Sequence, residues 1–243
     1  MSVTKKQARE HILKEQGQNT NHGALLRQII LGWQDGIVNV LGIVLGLAAG
    51  TNDRTIVLLG GLAATFAESI SMAAVAYTSG KAQLDFYEKE LEREKMEIEK
   101  FPEIEREEVK LIYMKKGFKG SALKKVVDTI CKDKKRWLDT MMNEELGLNE
   151  SKGINPSREA VIVGISAIIG SLIPVIPFFF IAPLDGMLPV LLFSVLCLFV
   201  VGAYKAKYAL SSWWKSGIEL AAIGGAAALV GYAIGAWVGI AGL

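Results

Sequence analysis

The residues of this chain that can do chemistry are carboxylates and thioethers, set on helices at spacings that bring them together. From Leu84 to Glu108 the sequence reads LDFYEKELEREKMEIEKFPEIEREE. Glu94 and Glu97 are three apart and share a helix face, and so do Glu105 and Glu108. Pro102 breaks the helix between the two pairs, and a hairpin there brings the faces together. Further on, Met141, Met142 and Glu145 lie on one short helix, with Met141 and Glu145 four apart. Carboxylate oxygen with thioether sulfur is a borderline ligand set, better suited to Fe²⁺ or another first-row divalent ion than to Ca²⁺ or Mg²⁺. The competing reading is a solvated helix face, because Lys89, Arg93, Lys95, Lys100 and Arg106 interleave with the glutamates and can form ion pairs along the helix. A di-iron oxidase is disfavoured. There is no Glu-x-x-His, and the only histidines are His11 and His22, near the N-terminus.

A second set lies in apolar surroundings. Asp35 and Glu68 are ionisable groups inside long hydrophobic stretches, where such residues are costly and usually mark an ion path or a proton relay. Counting helix rise inward from Arg27 and from Ser79 puts Asp35 and Met72 at the same level, roughly 10–12 Å in. Glu68 is one turn deeper than Met72 on the same helix face, and Asn39 is one turn beyond Asp35. Antiparallel neighbours would then carry a ladder of carboxylate and thioether groups. The alternatives are core packing for Met72 and a structural polar contact between helices for the two acids.

These groups must be positioned by a membrane scaffold. The chain has 243 residues, half of them hydrophobic, and its charge is almost balanced but very unevenly placed. Five segments are long and apolar enough to cross a bilayer: residues 24–50, 55–79, 160–181, 187–204 and 217–240. The expected fold is therefore an all-α integral membrane protein with five transmembrane helices and a helical acidic insert between the second and third. Its parts are a tail (1–22), helices 1–2 (23–80), the metal-binding insert (81–156) and helices 3–5 (157–243). The tail carries Lys5, Lys6, Arg9 and Lys14 and lacks the apolar core of a signal peptide. Lys205, Lys207 and Lys215 lie between the fourth and fifth spans, whereas the two short loops hold only Arg54. That bias puts the tail and the insert in the cytosol and the C-terminus outside or in a lumen. Tyr204, Tyr208, Trp213 and Trp214 fall where an inner aromatic belt belongs. Pro174 and Pro177 are expected to kink the third span, and Pro183, Asp185 and Gly186 to form the loop after it. Gly42, Gly46 and Gly50 recur four apart, as do Gly231, Gly235 and Gly239. Such faces pack helices closely, within one chain or between two.

The insert reads as a helix continued to Lys100, a second from Pro102 to about Lys115, and two short ones over residues 121–131 and 134–146, ending at Gly147. Its later part is basic (Lys115, Lys116, Lys119, Lys124, Lys125, Lys132, Lys134, Lys135, Arg136). Beside an acidic surface and a membrane, pairing with the acidic helices or with anionic headgroups is a better reading than nucleic acid. Cys131 and Cys197 offer neither a disulfide framework nor thiolate metal spacing.

Together, several of these motifs resemble those of the vacuolar iron transporter family. They are DGIVNVLGIVLGLAAGTND in the first span, ISM at 70–72, the acidic run through EIEKFPEIEREEV, WLDTMMNEELGL at 137–148 and IPVIPF in the third span. The resemblance implies five spans, a cytosolic metal-binding insert, a homodimer and export of Fe²⁺, sometimes Mn²⁺, in exchange for protons. By motif it makes Glu94, Glu97, Glu105, Glu108, Met141, Met142 and Glu145 the insert's metal ligands, and Asp35 and Met72 parts of the membrane path. One position departs: a glutamate found two turns before the ISM methionine in the family's plant and protist type is Ala64 here, and Glu68 is the acid one turn later. The expectation is thus a transporter and not an enzyme. Its substrate is Fe²⁺, with Mn²⁺, Co²⁺ or Zn²⁺ as further candidates; its partners are protons, the bilayer and a second copy, and it needs no organic cofactor. The alternatives are a membrane-anchored iron-binding or storage protein and a metal-regulated scaffold. The membrane is the cell membrane in a prokaryote and the vacuolar membrane in a eukaryote.

Overall fold

The computed structural model describes residues 5–148, 155–207 and 212–241. Tyr208, residues 149–154 of the insert and the side chains of the N-terminal tail, His11 and His22 among them, lie outside that description. The described residues form helices and no strand: α1 (Lys5–Thr51), α2 (Arg54–Lys100), α3 (Pro102–Lys115), α4 (Gly120–Cys131), α5 (Lys134–Thr140), α6 (Pro156–Val175), α7 (Pro183–Ala206) and α8 (Trp213–Ala241). Five helical stretches are long and apolar enough to cross a membrane: Leu25–Thr51, Arg54–Lys100, Pro156–Phe179, Pro183–Ala206 and Trp213–Gly239. The chain divides into two compact units, residues 1–77 with 156–243, and residues 78–155. The boundary at 77/78 falls inside α2, whose 47 residues run on without a break.

In the first unit α1 is the central helix. Its Gly42, Gly46 and Gly50 meet Gly231, Gly235 and Gly239 of α8 in the same order, so α1 and α8 run parallel. The two glycine faces therefore pack against each other within one chain. A Cβ at Gly46 would come 2.8 Å from the carbonyl oxygen of Gly231, and one at Gly50 would come 2.9 Å from that of Gly235. Without a hydrophobic driving force between helices in lipid, such close approach supplies the dispersion contacts that hold them. Gly46→Ala is expected to cost about 1–3 kcal/mol by overpacking. It should lower the thermal midpoint of the detergent-solubilised protein, and an unchanged midpoint would show that the helices separate freely.

On the other side of α1, Gly32 and Gly36 abut Val163, Ala167 and Ser171 of α6. Val40, Leu41, Val44, Leu45 and Ala48 then form a core with Val57 of α2, Val175 and Phe178 after α6, Val190 of α7 and Ala228 of α8. The outward faces are apolar as well. Leu188, Leu192, Leu196 and Val200 are exposed at four-residue spacing on α7, as a helix solvated by lipid requires. Thr65 and Ser69, buried on α2, satisfy their hydroxyls by donating to the carbonyls of Gly61 and Thr65, at 2.8 and 2.6 Å.

The third span changes helix type at its second proline, and one expectation about the fourth span is corrected. The α-helix ends at Val175, and Ile176–Phe179 form a 3₁₀ turn, because Pro177 has no N–H to extend the α ladder. Pro183, Asp185 and Gly186 are not a loop but the first turn of α7, where a missing N–H costs nothing.

The second unit packs Ile98 of α2, Val109 of α3, Leu123, Val127 and Ile130 of α4, Trp137 of α5 and Met141 into its own core. α3 starts at Pro102, a favoured first helical residue. α5 is capped by Asp133, whose side chain accepts from the Arg136 N–H at 2.8 Å. The last helix is not α-helical to its end. Met141–Glu145 form a π turn, in which the Leu146 N–H reaches the Met141 carbonyl at 3.2 Å, and Gly147 leaves at a φ of +65°.

Candidate functional site

The acidic run divides into two populations. Exposed glutamates pair along their own helices: Lys95 with Glu92 at 2.8 Å and Lys110 with Glu107 at 2.6 Å. These are solvated surface pairs of little energetic weight. Glu94 and Glu105 are different, with 2 % and 4 % of their surface exposed. The sequence pattern explains why. Glu94 sits four residues before Ile98, and Glu105 four before Val109, so each takes a place in the apolar stripe that forms the core of the unit.

Burying a carboxylate without a full set of partners costs several kcal/mol. Here one oxygen of each, Oε2, has no hydrogen-bond partner. Burial is accordingly the first cause raising Glu94 to about 7, followed by the like charges of Glu145 and Glu97. Glu105 is likewise raised to about 7, by burial and then by Glu108, Glu94, Glu145 and Glu97. Glu145, itself largely exposed, is raised by partial burial and then by Glu108. So α2, α3 and the π turn bring the five carboxyl groups into one field. Met141 and Met142, 0 % and 2 % exposed, are buried in the same unit. Among the described residues, no three His, Cys, Asp or Glu side chains yet converge closely enough to hold an ion.

The cation that faces these carboxylates is Arg93. Its guanidinium lies 2.8 Å from Glu90, 3.4 Å from Glu94 and 3.8 Å from Glu97. It was legible in the sequence only as one of several interleaved cations, although its spacing from Glu90 and Glu97 is that of helix ion pairs. A metal ion entering among these carboxylates meets its charge. Arg93→Ala is expected to tighten Co²⁺ binding about tenfold, a partly screened repulsion. Calorimetric titration of the purified chain at a pH above 8 checks this, and weaker binding would make Arg93 a structural partner instead.

The second cluster is within the membrane unit. The Glu68 side chain on α2 lies beside those of Asp35 and Asn39 on α1. Antiparallel neighbours thus bring these three together, Asp35 and Glu68 half-buried and Asn39 more exposed. Met72 is half-buried one turn along α2 from Glu68. Ala64, where the family resemblance would place an acid, packs against the apolar core that contains Val40 and Val44. Sequence reasoning did not single out two further polar groups beside this helix pair. Trp33 Nε1 on α1 and Ser171 Oγ on α6 are buried without a partner. Only the small residues facing them hinted at a close α1–α6 contact.

Fold and clusters together define a multi-pass helical membrane protein with an acid pair between its first two spans and an acidic helical insert. The sequence model of the VIT family matches residues 26–236, and the chain belongs to that family, whose members are transporters and not enzymes. It is 30% identical over 211 residues to Vacuolar iron transporter 1 of Tulipa gesneriana, covering 86% of this chain and 85% of that one. To Vacuolar iron transporter 1 of Arabidopsis thaliana it is 30% identical over 213 residues, with 87% and 85% covered. To the vacuolar iron transporter of Toxoplasma gondii it is 32% identical over 232 residues, with 91% and 76% covered.

Proposed function

We propose that this chain exports Fe²⁺, and with it Mn²⁺, from the cytosol in exchange for protons. In this reading the insert captures the ion with Glu94, Glu97, Glu105, Glu108, Glu145 and the thioethers of Met141 and Met142, and Asp35, Asn39, Glu68 and Met72 carry it between α1 and α2. The observation that carries the reading is the contact of Glu68 with Asp35 inside apolar spans. Two neighbouring carboxylates in apolar spans repel each other, and a proton taken up by the pair relieves that repulsion. A divalent cation supplies the same compensating charge, so proton and metal exclude each other at the pair. The relatives named for iron transport support Fe²⁺ as the substrate, and the oxygen–thioether donor set favours a first-row divalent ion. The resemblance further implies a pair of copies.

The test is flux. Purified protein in liposomes, under anaerobic conditions, should take up Fe²⁺ and move protons the other way, with Mn²⁺, Co²⁺ and Zn²⁺ compared. Metal binding with no flux would favour a membrane-anchored storage protein. The cytosolic placement of the insert is checked by thiol labelling in a chain freed of Cys131 and Cys197. Asn52→Cys is expected to react with an impermeant reagent from outside or from the lumen, and Lys119→Cys only from the cytosol. The reverse pattern would invert the topology.

A further inference from the structure

We propose that the insert carries an anion site, a basic groove that binds a phosphate-bearing ligand and is separate from the acidic cluster. α4 is strongly amphipathic. Leu123, Val127 and Ile130 are buried in the core of the unit, which turns the lysines of α4 outward. A groove of about 700 Å³ opens there, lined by Ser121, Lys124, Lys125, Thr129, Lys132 and Arg136. Several other cations of the insert sit in ion pairs: Lys95 with Glu92, Lys110 with Glu107, Lys134 with Glu99, Lys116 with Glu144 and Arg106 with Asp128. Among the described residues, Lys124, Lys125 and Lys132 have no carboxylate within ion-pair distance.

The two acids that line the groove are engaged in other contacts. Asp128 pairs with Arg106 of α3, and Asp133 caps α5. Arg136 is held in place, because its Nη1 donates to the Thr129 carbonyl at 2.8 Å. The guanidinium keeps further N–H donors in a rigid fork suited to phosphate oxygens, and the lysines add point charges around it. The Ser121 hydroxyl adds a further polar group to the lining, while that of Thr129 donates to the Lys125 carbonyl at 2.6 Å. Three lysine charges without partners and one anchored arginine around a single concavity make a field that attracts anions and that salt screens. The chemistry fits a phosphate group carrying more than one negative charge, whether on a soluble polyphosphate or on a lipid headgroup. The proposal stands on the insert alone and does not depend on the transport reading.

The test uses the full chain in neutral detergent. One arm titrates sodium tripolyphosphate, and the other titrates a short-chain phosphatidylglycerol. Saturable binding in either arm, weakening with added salt, is the expected result. Tripolyphosphate alone would identify a soluble ligand; phosphatidylglycerol binding that tripolyphosphate displaces would identify a headgroup. Lys124→Glu with Lys132→Glu should weaken binding about tenfold per reversed lysine. Lys124→Gln with Lys132→Gln should give a smaller loss in the same direction. Lys115→Glu, outside the groove, should leave binding unchanged. Equal loss in the Lys115 variant, or no saturable binding in either arm, would overturn the proposal.

Discussion

Asp35→Asn is expected to abolish metal flux, and Glu68→Gln to separate metal movement from proton movement, while both leave metal binding by the insert intact. Each substitution keeps shape and most hydrogen bonding but removes a titrating charge from the Asp35–Asn39–Glu68 cluster. A divalent ion crossing an apolar span needs fixed negative charge to offset its lost hydration, and in the proposed path Asp35 is the carboxylate that supplies it. Loss of a direct ligand typically exceeds the 10- to 100-fold effect of losing a supporting group, so Asp35→Asn flux should fall by more than about 100-fold. For Glu68→Gln the readout is the ratio of protons moved to Fe²⁺ moved in liposomes with an internal pH dye. An unchanged ratio would reduce Glu68 to a helix-packing residue and leave Asp35 as the intramembrane acid. Ala64 offers no substitute, since it faces an apolar core.

The second large effect is the pH dependence of capture by the insert. Glu94 and Glu105 are each raised to about 7, first by burial and then by neighbouring carboxylates. A metal ion binds the ionised form, so below pH 7 it must displace a proton from each. Lowering the pH from about 8 to about 6 should weaken Co²⁺ binding by about tenfold per carboxyl, up to about 100-fold for two. Stability of the metal-free insert moves the opposite way. The folded-state values lie above the ordinary value of 4.5, so the folded form binds the extra protons between about 4.5 and 7. The stabilising contribution of these protons is fully present below that window and is lost as pH rises through 7. Carrying Asp35→Asn to silence the membrane path, the full chain should show both trends. Adding Glu94→Gln and Glu105→Gln should flatten them and remove most metal binding. A pH-independent affinity in the parent would mean that the two buried glutamates are not ligands.

The comparison of the two clusters shows what a sequence carries. Five spans were legible because lipid demands about 20 apolar residues in a row and internally satisfied backbone, a requirement that each segment meets locally. The insert's helices were legible because Pro102, Gly117, Gly120 and Gly147 punctuate them: each has a backbone effect that needs no partner. Asp35 and Glu68 stood out for the same reason, an acid being conspicuous in an apolar run whatever it touches.

Other features depend on residues distant in the chain. The glycine stripes of α1 and α8 advertise close packing, but only the fold pairs Gly46 with Gly235 and so places the contact inside one chain. Within the acidic run the i,i+3 spacing marked Glu94 with Glu97 and Glu105 with Glu108 as equals. Tertiary packing made them unequal, by sinking Glu94 and Glu105 into the core beside Ile98 and Val109 while their companions stay near water. Spacing along a helix determines which side chains share a face. Which face loses its water is set by the helices that pack against it, and that loss of solvent is what raises Glu94 and Glu105.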